Sequence, residues 1–342
     1  MRSLLHRAGL DSISGLLSPG NLVILESTVP VHTTRDFVVP KLRSIGVDCG
    51  SALFAYAAER IASGRMLEEI RRNDRILGGI TPEAAEAARD IYKSFVDGEI
   101  FLTDTCTAEL VKLAENTYRD INIGFANEVA LYCDKEGIDA WEAIELANRH
   151  PRVNIHRPGP GVGGHCIPVV PHYLAQGNDH DTLLQAARRI NREMPRQVRN
   201  EIMRSMAGID QPKVVLMGLS FKPDSSDPIN SPGLQLLDLV TRNDHDPDID
   251  HGRKKMLDLV ICDPLIREPP PGLDLVTLEQ ALKPDCIVFL MAHGQFKELK
   301  PHSPIRNQGT VIDFTGLSKS RTNPSAHSGL PSHCASADPL PC

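Results

Sequence analysis

Four apolar, β-rich segments in the C-terminal half constrain the fold more than any other feature of this 342-residue chain. Each is short, and segments with helical patterns separate them. Strands that alternate with helices pair in parallel, because each helix returns the chain to the same edge of the sheet. The pattern predicts an α/β fold with a parallel sheet built from Lys213–Met217, Asp258–Cys262, Cys286–Leu290 and Thr310–Asp313.

The N-terminal half has two strand-like segments, Leu22–Leu25 and Ala52–Tyr56, followed by helical patterns. Pro82–Val96 is typical of a helix with proline in its first turn. A longer pattern runs from Thr105 to Gly137, where Asp104 or the threonine itself can cap the start and the glycine can end the helix. The residues of this helix that we expect to face a core are Leu110, Leu113, Ile121 and Phe125.

The composition excludes several classes of partner. The net charge of −7 and the pI near 6.0 provide no basic field for nucleic acid or an anionic membrane. Aromatic residues make up only 4%, which argues against a base-stacking surface. No apolar run reaches the roughly 18 residues of a membrane span, and the first residues are too polar for a secretory signal. We therefore expect a cytoplasmic protein whose eight cysteines are reduced.

A loop rich in glycine and proline precedes Cys166. Gly159, Gly161 and Gly164 match G-x-G-x-x-G, but no strand feeds the loop, so a dinucleotide-binding turn is rejected. Glycine lets the backbone approach a ligand closely, and a cysteine between such a loop and a helix gains thiolate character. Cys166 is therefore a candidate nucleophile, and a buried structural thiol is the alternative.

Further polar residues lie where α/β proteins bind ligands. Lys112 and Asn116 lie four residues apart and share a helix face, with Arg119 about two turns along. Glu59 and Lys222 each follow a predicted strand, and Lys222 suits a phosphate. A solvated helix face, a surface ion pair and an ordinary loop are the respective alternatives. We expect no metal site, because the candidate ligands are not spaced along the chain as in tetrahedral zinc sites. These candidates are Cys166, His150, His165 and His172.

Five segments carry more specific patterns: Glu26-Ser-Thr-Val-Pro30, Cys106 to Asn122, Ala147 to Asn154, Pro158 to Cys166, and Phe221-Lys-Pro-Asp224. Together they resemble the nucleotide-sugar dehydrogenases of the UDP-glucose/GDP-mannose dehydrogenase superfamily, and within it the branch that oxidises UDP-N-acetyl-D-mannosamine. The resemblance implies an incomplete N-terminal Rossmann-type, NAD-binding domain at 1–97, a central helical dimerisation and catalytic region at 98–206 and a Rossmann-like UDP-binding domain at 207–318. The polar composition of 243–255 predicts a surface insertion, and the Ser/Pro/His-rich composition of 319–342 predicts a disordered tail.

The resemblance also implies a reaction and roles for its residues. NAD oxidises the C6 alcohol of a UDP-sugar to the carboxylate, and Cys166 adds to the intermediate aldehyde and later forms a thioester. Lys112 and Asn116 hold the C6 oxygen, and Glu59 is a base in hydrolysis. Arg152 matches an arginine that reaches the partner subunit's active site, so a homodimer is implied. The other positions are Arg119, His150, Asn154, Gly161 and Lys222 for the UDP-sugar, and Ser27 and Thr28 for NAD.

Several departures from the family pattern leave alternatives open. The glycine-rich phosphate turn and the ribose-binding acid of the NAD domain are missing, so we expect an N-terminally truncated chain with an incomplete NAD site. Val170 stands where the family has aspartate, His32 where it has glycine, and Ala58 where it has proline. A catalytically inactive fragment that binds UDP-sugar and dimerises is one alternative. UDP-glucose or UDP-N-acetylglucosamine 6-dehydrogenases and a 3-hydroxyacid-type dehydrogenase are others.

Overall fold

The structure, a computed structural model, contains two β-sheets that are linked by long helices. The predicted insertion and tail lie outside the residues that it describes. Among the described residues, no helix combines the length and the apolar character that crossing a membrane requires. The described residues are 2–50, 52–61, 65–175, 182–241, 257–268, 273–282, 284–297 and 309–317.

The first sheet has four strands in the order β1-β2-β3-β4. The pairs β1–β2 and β3–β4 are parallel, whereas β2 and β3 run antiparallel. The two predicted N-terminal strands are present, and β3 and β4 are strands that the sequence pattern did not indicate. The elements of this part are α1 (Arg2–Ser14), β1 (Leu22–Leu25), a π-helical turn (Thr34–Val38), α2 (Val39–Ser44), β2 (Leu53–Ala57), α3 (Met66–Arg72), β3 (Arg75–Gly79), α4 (Pro82–Tyr92) and β4 (Ile100–Asp104).

Strand β2 is buried on both of its faces, and alternate residues face different helices. Ala55 packs on one side with Ala88 of α4. Phe54 packs on the other side with Leu42 of α2. Helix α4 begins at a capped end, since the Thr81 hydroxyl accepts a hydrogen bond from the Ala84 N–H at 3.3 Å. The sheet therefore forms the middle layer of a helix–sheet–helix arrangement.

Helix α5 (Thr105–Glu136) confirms the predicted long helix, and α6 (Ala140–Ala147) follows it. Asp104 caps its start by accepting the Thr107 N–H at 3.0 Å, and Gly137 ends it in the left-handed conformation. The expectation that Leu110 and Phe125 face the core is wrong, because they are 46% and 50% exposed. The buried stripe instead contains Leu113, Thr117, Asp120, Gly124 and Asn127.

Helix α8 (Leu183–Ser205) packs against α5 and leads into the second sheet; the short helix α7 (Pro171–Ala175) precedes it. A reciprocal capping box between Thr182 and Gln185 starts α8. Arg188 of α8 and Asp120 of α5 form a buried ion pair with 2.8 Å between Nη1 and Oδ1. Burial raises the pKa of Asp120, and the guanidinium opposes that rise.

The second sheet confirms the predicted parallel arrangement, because all four strand pairs in the order β7-β6-β5-β8-β9 are parallel. Leu216 faces a core built with α8 and α9, and Val215 faces the opposite core. Burial on both faces explains the continuous apolar runs in the sequence. The elements are β5 (Lys213–Met217), α9 (Pro232–Thr241), β6 (Asp258–Cys262), β7 (Asp274–Leu275), a 3₁₀ turn (Gln280–Leu282), β8 (Cys286–Phe289), α10 (Gly294–Lys297) and β9 (Thr310–Asp313).

Candidate active site

The segment 158–166, here called the cysteine segment, packs directly against the loop that follows β5. The Gly164 N–H donates to the Ile229 carbonyl at 3.0 Å. A Cβ on Gly163 would lie 2.6 Å from the Asn230 carbonyl oxygen, and one on Gly164 would lie 2.8 Å from the Phe221 ring. No side chain other than hydrogen fits these two positions without movement. The glycines therefore allow close contact between the cysteine segment and the loop that carries Lys222.

Gly161 occupies a second point of close approach, beside the proline inside helix α8. Pro195 lies inside α8 and has no N–H, so the helix does not use the Asn191 carbonyl in the usual way. A Cβ on Gly161 would lie 3.1 Å from that carbonyl oxygen, and its φ is +132°. The side-chain-free backbone at Gly161 therefore fits against the helix beside this proline. Its predicted substrate contact remains a prediction.

Two asparagine side chains hold the residues just before the cysteine segment. Asn148, the residue that follows α6, accepts the Ile155 N–H at 2.7 Å and donates to the carbonyl of the same residue at 2.9 Å. Asn122 of α5 accepts the His156 N–H at 2.7 Å and donates to the Asn154 carbonyl at 3.2 Å. Each asparagine replaces the strand partner that this extended backbone lacks.

Cys166 is an exposed, free thiol at the end of the cysteine segment. Its carbonyl accepts the N–H groups of Val169 and Val170 at 3.0 and 2.9 Å, so a turn starts at the cysteine and leads into α7. Val170 is fully buried. The neighbouring His165 ring approaches Asp227 to 2.9 Å. A buried structural role for the cysteine is thus excluded by its exposure, while its chemistry remains a prediction.

Lys112 is buried at 8% exposure and donates from Nζ to the main-chain carbonyl of Glu59. No carboxylate of the described residues lies within ion-pair distance of this ammonium group. One turn further along α5, the Asn116 Nδ2 is buried and has no hydrogen-bond partner in the described part of the chain. A buried ammonium without a carboxylate partner and an unpaired amide donor are costly, so the two groups are suited to an oxygen-rich ligand. The solvated-face alternative is wrong for Lys112, because the side chain is buried.

Glu59 lies two residues beyond β2 and is exposed. Its carboxylate accepts the N–H of Ile61 instead of pairing with the adjacent Arg60. Arg60 pairs with Glu115 of α5, with 2.7 Å between Nη2 and Oε1. The structure thus brings the Glu59 backbone to Lys112 and leaves its carboxylate near the surface. Among the described residues, no hydrogen bond joins Lys112 to Cys166.

Most of the predicted substrate-binding side chains are exposed around the segment before the glycines. Burial, with Arg119 as a second cause, lowers the pKa of His156. Lys222 lies in the loop after β5 that contacts the cysteine segment. The pKa of Asp227 in the same loop is lowered first by the Ile229 N–H and then by His165, with Lys222 as the smallest cause. The residues that the structure leaves exposed are Arg119, His150, Arg152 and Asn154.

A buried carboxylate organises the carboxyl edge of the second sheet, and the sequence pattern did not indicate it. Asp263 follows β6 and accepts the Leu219 N–H at 2.8 Å and the Leu265 N–H at 2.9 Å. Burial alone would raise the pKa of Asp263, but a hydrogen bond from His293 and those from the backbone outweigh it and hold the pKa at about 2. Both oxygens of Asp263 are therefore used by the protein itself.

Ser27 and Thr28, the predicted cofactor-binding residues, follow strand β1. Ser27 is exposed at the carboxyl end of the strand, where α/β sheets bind nucleotides. The adjacent Glu26 accepts a hydrogen bond from the Tyr92 hydroxyl, and burial together with that bond raises the pKa of Tyr92. No strand–helix turn of the described residues carries the pattern G-x-G-x-x-G that holds a diphosphate. That Ser27 and Thr28 contact NAD remains a prediction.

His32 lies at a position where the backbone conformation favours glycine. Its φ is +73°, in the left-handed region that favours glycine. The imidazole Nδ1 lies 3.1 Å from Sγ of Cys106 at the start of α5. The histidine therefore occupies a conformation unusual for its type and uses its ring to contact α5. No group of three or more metal-binding side chains is present in the described ranges.

Sequence reasoning missed the asparagines that hold the backbone around the cysteine segment. Asn122 and Asn127 lie in the interior of α5, where asparagine is a poor helix former. A polar, helix-disfavouring residue in mid-helix is itself a signal that its side chain binds backbone elsewhere. That signal was available in the sequence, although the partner could be identified only from the fold.

The chain matches two domains of one protein family. Residues 4–96 match the NAD binding domain of the UDP-glucose/GDP-mannose dehydrogenase family, and residues 106–193 match its central domain. A relative from Campylobacter jejuni is 39% identical over 318 residues, which cover 86% of this chain and 75% of the relative. The chain belongs to the UDP-glucose/GDP-mannose dehydrogenase family.

That relative is a UDP-N-acetyl-D-mannosamine dehydrogenase, as is one from Methanococcus maripaludis, which is 38% identical over 301 residues. The matched region covers 86% of this chain but only 64% of the length of the Methanococcus protein. The solved structure of the UDP-N-acetyl-D-mannosamine dehydrogenase from Pyrococcus horikoshii superposes with a TM-score of 0.80 at 35% identity, covering 92% of this chain and 73% of that one. The α/β fold expected from the sequence is thereby confirmed.

Proposed function

We propose that this chain carries the catalytic and sugar-binding part of an NAD-dependent UDP-sugar 6-dehydrogenase, with UDP-N-acetyl-D-mannosamine as substrate. The observation that carries the proposal is the buried Lys112 ammonium beside the unpartnered Asn116 amide. Two donors without a carboxylate partner are suited to an alcohol oxygen that develops negative charge. The names of the relatives support the choice of sugar.

The reaction proceeds by two oxidations at one carbon. Lys112 and Asn116 stabilise the oxygen as the C6 alcohol loses its proton to solvent water, and a hydride leaves C6 to give the aldehyde. The Cys166 sulfur then bonds to C6, giving a thiohemiacetal whose second hydride loss yields a thioester. Water attacks the thioester, the C–S bond breaks, and the uronate and the thiol are released. When bound, NAD supplies the two hydride acceptors; Glu59 is the base that we assign to hydrolysis.

We also propose a homodimer that forms along helix α5. Tyr118, Phe125 and Tyr132 recur every seven residues and are 54%, 50% and 61% exposed. A seven-residue spacing keeps side chains on one line of a helix, and large apolar side chains on such a line mark a helix–helix contact. A second copy of α5 would cover them. Arg152, which is exposed, would then reach the partner's site.

The test is turnover of the purified chain with UDP-N-acetyl-D-mannosamine, followed by NADH absorbance and by mass spectrometry of the uronate. UDP-glucose and UDP-N-acetylglucosamine are run in parallel, because they are the competing substrates. We expect Lys112→Met and Cys166→Ala to abolish uronate formation. Lys135→Met on the same helix is the matched control, since Lys135 is exposed near the C-terminal end of α5.

The result that would remove Cys166 from the mechanism is uronate formation by Cys166→Ala at the rate of the unchanged chain. Equal losses in Lys112→Met and Lys135→Met would show that the site is not specific. Faster turnover of UDP-glucose than of UDP-N-acetyl-D-mannosamine would show that UDP-glucose is the substrate.

A UDP-sugar-binding dimer without turnover is a second candidate function. It is favoured by Val170, which is fully buried four residues after Cys166, where the family resemblance places an aspartate. An aliphatic side chain cannot orient the hydrolytic water. This candidate requires calorimetric binding of the UDP-sugar and no NADH beyond the two equivalents per site that can form before hydrolysis, and Val170→Asp would then restore continuous turnover.

A further inference from the structure

A continuous line of buried polar groups joins α5 and α8 to the cysteine segment. Asp120 Oδ1 accepts a hydrogen bond from Arg188 Nη1 at 2.8 Å and one from Asn191 Nδ2 at 2.8 Å. The main-chain oxygen of Asp120 also accepts from Asn191 Nδ2, at 2.9 Å. Asn127 donates to Asn191 Oδ1 at 2.9 Å and accepts the Gly159 N–H at 2.8 Å. All three helix side chains of this line, Asp120, Asn191 and Asn127, are at most 2% exposed.

The line has one possible direction. The side chain of Asn191 faces two oxygens of Asp120, the main-chain oxygen and Oδ1, and both can only accept hydrogen bonds. The Asn191 amide must therefore direct its N–H groups toward Asp120. Its oxygen is then left to accept from Asn127, which fixes the second amide as well. Asn127 can present only its oxygen to the Gly159 N–H. A rotation of either amide would place two donors or two oxygens together in a buried site.

We propose that Asn127 is a positioning residue for Cys166, and that Asp120 sets its orientation through Asn191. No other described side chain bonds the backbone inside the cysteine segment near its start. Gly159 lies between Pro158 and Pro160, and both prolines are buried and have restricted φ angles. A stiff tripeptide transmits the position of its central N–H to the residues that follow. Asn127 therefore fixes the start of the segment, seven residues before the thiol, while the contacts of Gly164 with the loop after β5 fix its end.

This inference rests on the proposed function for its catalytic consequence, but its structural part is independent of turnover. The test measures hydrogen exchange of peptides spanning 156–163 together with kcat and KM, in Asn127→Ala and Asn191→Leu. Asn21→Ala is the control, because Asn21 also accepts one backbone N–H, from Ser18 at 2.8 Å, in an exposed turn. We expect exchange at Gly159 to be about tenfold faster and kcat at least tenfold lower in both variants, with KM within about threefold.

Unchanged exchange at Gly159 in Asn191→Leu would overturn the orienting role of Asn191 and Asp120. Faster exchange with an unchanged kcat would overturn the catalytic consequence. If either variant does not fold, Asn127→Ser and Asn191→Ala replace it with smaller changes of volume. If the unchanged chain has no turnover, the proposed function fails, and the exchange data still support or overturn the positioning of the segment.

Discussion

Replacing Gly163 with alanine tests whether the cysteine segment depends on contact with the loop after β5. The new Cβ would lie 2.6 Å from the Asn230 carbonyl oxygen and 2.9 Å from both Phe221 Cβ and Ser231 Cα. Favourable carbon contacts lie at about 3.5–4.0 Å, so each neighbour would have to move by more than about 0.5 Å. Two of the three neighbours are backbone atoms, and Ser231 is fully buried.

The expected cost is that of overpacking, about 1–3 kcal/mol in the free energy of unfolding. Gly159→Ala is the matched control in the same segment, because its Cβ would meet only the Phe314 carbonyl oxygen, at 3.9 Å. That variant should lie within about 0.5 kcal/mol of the unchanged chain. The two alanine substitutions differ only in what surrounds the added methyl group.

The single tryptophan provides the assay. Trp141 of α6 contacts Gly316, since a Cβ there would lie 3.0 Å from the indole, so its fluorescence reports the junction of the central helices with the second sheet. Urea unfolding followed by this signal gives the free energies. If Gly163→Ala is as stable as Gly159→Ala, the close contact with the loop does not exist in solution and the reasoning fails.

Three other perturbations have defined outcomes. The Asp263 carboxylate, with its pKa at about 2, stabilises the fold above about pH 4, and this contribution of about 2 kcal/mol is lost as the pH falls toward 2. In urea unfolding, the stability of Asp263→Asn should therefore depend less steeply on pH in the acid range. An unchanged slope would contradict this. Leu77→Ala, at a fully buried site, should cost about 2–5 kcal/mol in thermal or urea unfolding, whereas Leu16→Ala, 78% exposed, should cost less than about 0.5; equal costs would refute the burial. Phe125→Asp should shift sedimentation from dimer to monomer without unfolding the chain, and an unchanged sedimentation coefficient would exclude this face.

The second sheet could be predicted because its signal is local. Each strand of Lys213–Met217 and its neighbours is a continuous apolar run, and burial on both faces requires that run wherever the strand lies. Helix α5 was equally readable, since its caps Asp104 and Gly137 act on the adjacent turn. The strands β3 and β4 were missed. Strand β3 ends in Gly78-Gly79, which resembles a turn, and the apolar run at the start of β4 is only three residues long and leads directly into the cap of α5.

The faces of α5 could not be assigned from periodicity. Leu110 and Phe125 lie about 60° and 120° around the helix from Leu113 at 100° per residue, and only contact with α8 selects which stripe is buried. The buried stripe includes the polar Asp120 and Asn127, which a hydrophobic pattern assigns to solvent. Tertiary contact therefore overrode apolar character on both sides of the helix.

The sequence by itself determined the α/β class, the parallel second sheet, the long central helix and the residue types that carry chemistry, because these depend on neighbours along the chain. Only the tertiary structure decided that Lys112 is buried without a carboxylate, that Cys166 is exposed, and that Asn127 holds the backbone of Gly159. Each of these depends on groups about 30 or more residues away. Their hydrogen bonds and desolvation exist only after α5, α8 and the two sheets have packed.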